Sequence, residues 1–101
     1  MATSTQPLTP ANLISRYAAG IAFVAEEEPA TTVSDFIDQL STAAENFGMA
    51  RFDTDELEGA VTYLTDFDSS TDETERAVLL NRAADLLAYV GDIADEYRDM
   101  V

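Results

Sequence analysis

The chain has 101 residues, 47% of them hydrophobic, and 20 acids against five bases give a net charge of −15. That length holds one domain with one core, and the apolar content is too high for an intrinsically disordered chain. Cys, His and Trp are all absent, which excludes disulfides, the usual zinc ligand sets and Ser-His or Cys-His catalysis.

Residues 1–8 are polar and aperiodic and read as a frayed tail, leaving 9–101 as a single domain. Thr9-Pro10 is a helix start, with Thr9 as N-cap and Pro10 at the first helical position. The first helix is expected to run to about Glu27, with Leu13, Ile14, Tyr17, Ala18, Ile21, Val24 and Ala25 at helical spacing. Glu26-Glu27-Glu28 sits at the end of the helix dipole that disfavours acid, and Pro29 stops the helix. Thr32 with Asp35 predicts a cap for a second helix, which presents Phe36, Ile37, Leu40, Ala44 and Phe47 to a core and ends with Gly48 as its C′ residue. Asp53 with Glu56 predicts a capping box for a third helix reaching about Phe67, with Leu57, Ala60, Val61, Leu64 and Phe67 inward.

Ser70 with Glu73 predicts the cap of a fourth helix that continues close to the C-terminus. Leu79, Ala83, Leu86, Val90, Ile93, Tyr97 and Met100 alternate by four and three residues as a heptad seam, with Leu80, Leu87, Ala94 and Val101 beside it. A stripe that wide suits a bundle core better than a two-stranded coiled coil. This helix would extend roughly 40 Å at about 1.5 Å per residue, far enough for its end to overhang the bundle. Ile93, Tyr97 and Met100 would then be free for a second subunit, with Gly91 as a bend point. The expected fold is all-α: a small antiparallel four-helix bundle with a long C-terminal amphipathic helix.

The acids are unevenly placed. Residues 1–25 carry none, whereas residues 51–75 carry nine and only Arg51 as a base. Those nine are Asp53, Asp55, Glu56, Glu58, Asp66, Asp68, Asp72, Glu73 and Glu75. Asp85, Asp92 and Asp99 recur every seventh residue, which sets them about 10.5 Å apart along one helix stripe. Asp66-x-Asp68-x-Ser70-x-Asp72 has the rhythm of a calcium loop. Thr71 and Ala77 stand where that loop needs Gly and Glu, so no specific calcium site is expected. Without His, the usual di-iron centre of helical bundles cannot form, and no metal or cofactor is expected.

The sequence therefore points to a non-enzymatic interaction module. Its carboxylate rows would meet a basic protein surface, with an inhibitor or nucleic-acid mimic as the sharper version. Direct nucleic-acid binding is opposed by charge. Phe23, Tyr63 and Tyr89 lie at or off the edges of their apolar stripes and join the acids as candidate partner contacts. The competing reading is a structural or dimerisation domain, pairing through its C-terminal helix, from a salt-adapted or GC-rich organism whose acidity serves solvation. No secretory signal pattern is visible, and Tyr17 to Ala25 is too short to span a bilayer, so a cytoplasmic location without membrane contact is expected.

Overall fold

A computed structural model describes residues 8–100 and places four helices there: α1 (Pro10–Ala25), α2 (Val33–Met49), α3 (Asp55–Ser69) and α4 (Glu73–Met100). No strand occurs among the described residues. The expectation of a tail over 1–8 lies outside the described residues except at Leu8, which packs against the core.

The helix starts follow from polar side chains that take up the otherwise unpaired first-turn N–H groups. Thr9 Oγ1 accepts from the Asn12 N–H at 3.1 Å, and Thr32 Oγ1 from the Asp35 N–H at 3.1 Å. The other two starts differ from expectation. Asp53 Oδ1 accepts from the Asp55 N–H at 2.9 Å, and Thr54 Oγ1 donates to Glu58 Oε2 at 2.6 Å, so Glu58 rather than Glu56 answers the turn before α3. Asp72, not Ser70, caps α4, its Oδ1 accepting from the N–H groups of Thr74 and Glu75 at 2.9 and 3.3 Å.

The helix ends correct two further expectations. α1 stops at Ala25, and Glu26 takes the left-handed conformation at φ 60°. α2 runs through Gly48 to Met49, and the left-handed residue after it is Arg51, at φ 68°. The Glu27 N–H reaches Ala22 O at 3.0 Å and the Phe52 N–H reaches Phe47 O at 2.9 Å. Both are six-residue closures of the kind usually completed by glycine. Here glutamate and arginine complete them, which costs each turn about 1 kcal/mol.

The core draws on all four helices. Phe36, Leu40 and Ala43 of α2, Leu13, Ile21 and Val24 of α1, Leu57 and Leu64 of α3, and Leu87 and Val90 of α4 are almost wholly removed from water. Removing a large aliphatic side chain at such a place costs about 2–5 kcal/mol. On α4 the burial is rotated from the expected seam. Leu80, Ala83, Leu87, Val90 and Ala94 are buried, while Leu79, Leu86, Ile93 and Tyr97 flank them half-buried. α4 packs chiefly on two neighbours, α3 and α1, so the middle of its wide stripe is the part that water never reaches.

The registers give the topology. α3 and α4 run antiparallel: Gly59 faces Leu86, the Arg82 guanidinium lies 6.0 Å from the Tyr63 ring, and Arg76 lies 4.0 Å over Phe67. α2 is tied to α1 by Asn46, which donates to Val24 O at 2.6 Å, and to the loop between them by buried Gln39, which donates to Glu28 O and accepts from the Ala30 N–H at 3.2 Å. The closing seam differs. Tyr17 meets Gly91, Gly20 meets Ala94, and Phe23 meets Tyr97, so α1 and the second half of α4 run in the same direction. A strict up-and-down bundle would make that pair antiparallel. The helices must therefore cross at sizeable angles, in keeping with a molecule 41 × 35 × 23 Å across.

α4 is unbroken through Gly91. A Cβ there would sit 3.6 Å from the Tyr17 ring, so the small residue permits close approach of α1 rather than a bend. The end of α4 is also covered. Tyr97 stacks edge-on to Phe47 at 5.7 Å and Phe23 at 6.4 Å, and Ile93 is half-buried. Of the three residues expected to overhang, Met100 alone is exposed.

Candidate functional site

All 20 acids lie within the described residues, and all but Glu56 are exposed. α1 carries none and α2 carries three. Thirteen belong to the α3–α4 hairpin: five on α3, Asp72 in the turn and seven on α4. The antiparallel hairpin separates the run that is densest in sequence. Asp53, Asp55, Glu56 and Glu58 lie at the start of α3, while Asp66, Asp68, Asp72, Glu73 and Glu75 gather at its other end. The 15 residues of α3 put roughly 20 Å between the two groups. Asp85, Asp92 and Asp99 are exposed along the unbroken α4.

Several of these acids have local structural work. Asp53, Glu58 and Asp72 are engaged at helix starts, as described above. Glu56 is half-buried, and its Oε2 is enclosed without a hydrogen-bond partner. Acids at the first turns of α3 and α4 also face the positive ends of those helix dipoles. Asp66 and Asp68 stand on the last turn of α3 and Asp72 caps α4, so the calcium-like run is split between two helices. Among the described residues, no group of three or more Asp or Glu is arranged to hold a metal ion.

The three aromatic candidates divide. Phe23 is 44% exposed and Tyr89 62%. Tyr63 is half-buried and packs against the core, with Arg82 beside its ring. The Arg98 guanidinium lies 5.4 Å over Phe23, giving that ring a cationic cover.

One surface was not marked out by sequence reasoning. Between α1 and the second half of α4 lies an open groove of about 450 Å³. Ala19, Gly20, Gly91 and Ala94 make it shallow, and Arg16 and Arg98 border it together with Asp92 and Asp95. The signal for it was present in the acid-free first helix and in the small residues of α4. Recognising it required the register that sets Gly20 against Ala94.

No helix among the described residues is long and apolar enough to cross a membrane. Compared with protein-family models, with curated proteins and with solved structures, the chain matches none.

Proposed function

We propose that this chain is a non-enzymatic interaction module that binds a basic surface of a partner protein through the outer face of the α3–α4 hairpin. The observation that carries this reading is the bias of the acids. Thirteen sit on one hairpin, eleven of them outside the α1–α4 groove, and none on α1; the hairpin acids are exposed apart from Glu56. A charge that served solvation alone would be spread over every helix. Carboxylates repeated along a continuous helix present a row of negative charge to a partner built to neutralise phosphates, so an inhibitor that occupies a nucleic-acid-binding site fits the same surface. Electrostatic association of this kind is fast and weakens with salt.

The test is capture from host lysate on the immobilised chain, beside the variant Asp66→Asn/Asp68→Asn/Asp85→Asn. The expected result is a basic protein retained by the parent chain, released by duplex DNA and by raised salt, and lost from the variant. Recovery of the chain's own copies alone, or of proteins held equally by the variant, would sink the reading.

A further inference from the structure

We infer that two copies of the chain pair through the α1–α4 groove, with Arg16 of each copy against Asp92 of the other. Charge selects the occupant and the face. Two molecules at −15 repel wherever their acids meet. The groove is where that repulsion is cancelled, because Arg16 and Arg98 balance Asp92 and Asp95 along its borders. The exposed stripe of α1 beside it, Ala11, Ser15, Ala19 and Phe23, contains no acid. It combines small side chains, which let backbones come close, with an exposed ring of the kind that anchors interfaces.

The parallel seam supplies the geometry. Tyr17 stands level with Gly91, so Arg16 and Asp92 lie at nearly the same height on facing sides of the groove. A two-fold axis running along the groove lays α1 of one copy over α4 of the other, in the same direction and at the same height. Each Arg16 then meets an Asp92 across the axis, and both pairs form at once. The acid-rich α3 of each copy is left outside the contact.

The experiment is the molar mass in solution, by light scattering or sedimentation, over a concentration series of the full chain. The parent chain is expected to dimerise, and more strongly as salt rises from about 0.02 M to about 0.3 M, because screening relieves the overall repulsion more than it weakens contact pairs. This is the opposite of the salt response expected of a basic partner, so the two readings fail separately. Arg16→Asp and Asp92→Arg alter exposed side chains, and each is expected to weaken dimerisation by about tenfold or more. Asp92→Arg is the decisive single change, since it takes the net charge from −15 to −13 and would favour any unspecific association. Glu45→Arg makes the same change in charge on α2, away from the groove, and is expected to leave the dimer intact. Mixing the two groove variants restores a dimer only if the pairs form between copies. A monomeric parent chain, an Asp92→Arg variant that still dimerises, or a mixture that stays monomeric would overturn the inference.

Discussion

Glu26 and Arg51 hold left-handed backbone where glycine is the usual occupant. Replacing either with Gly relieves the crowding of Cβ against the backbone, and part of the gain is lost to the freer unfolded chain. The two changes are not equivalent. Glu26 is an acid at a helix C-terminus, where the dipole disfavours it, whereas Arg51 is a base at such an end, where the dipole favours it. Urea unfolding is expected to show Glu26→Gly stabilising by about 0.5–1 kcal/mol and Arg51→Gly by less. An Arg51→Gly variant that gains more than Glu26→Gly would contradict this account. These residues also show where the sequence was silent. Gly48 was legible as a stop because glycine usually is one. α2 ran past it because Arg51 could close the turn two residues after Met49 with the backbone bonds already described. Gln39 was equally hidden, since a glutamine on a helix face gives no sign that it will be buried to satisfy Glu28 and Ala30.

At the scale of elements, the four helices were readable because each carries an apolar face at helical spacing behind a polar start. Which face of α4 would be innermost was not readable. A stripe of that width offers several seams, and the choice was made by contact with both α3 and α1. Two helical glycines test the packing. A Cβ on Gly48 would meet nothing within 4 Å, whereas one on Gly59 would come within 2.8 Å of the Leu86 side chain. Gly48→Ala should therefore stabilise by up to about 1 kcal/mol through helix propensity, and Gly59→Ala should gain less because Leu86 has to move. Thermal melts of the two variants check this, and equal gains would mean that α3 and α4 are not as closely packed at Gly59 as the register implies.

For the whole molecule, composition made the acidity plain, but its distribution depended on the topology. The run from Asp53 to Glu75 reads as one cluster in sequence and becomes two clusters when α3 stands between them. The groove was out of reach for the same reason, since its two walls are far apart in the chain. Tyr17 and Gly91, Gly20 and Ala94, and Phe23 and Tyr97 are each separated by 74 positions, against 19 for Tyr63 and Arg82 in the hairpin. That difference sets an order of events as the chain folds. Closing a long loop costs more entropy than closing a short one, so the α3–α4 hairpin should assemble in the rate-limiting step and the seam between α1 and α4 should close afterwards. Leu64→Ala, costing about 3 kcal/mol in the hairpin, is expected mainly to slow folding, while Ile21→Val, costing about 1 kcal/mol on α1, is expected mainly to speed unfolding. Stopped-flow rates that reverse this assignment would place the nucleus on the α1 seam instead. In the expected order, the chain in its slow step resembles an acidic hairpin still waiting for its one acid-free helix, and the groove is the last surface to come into being.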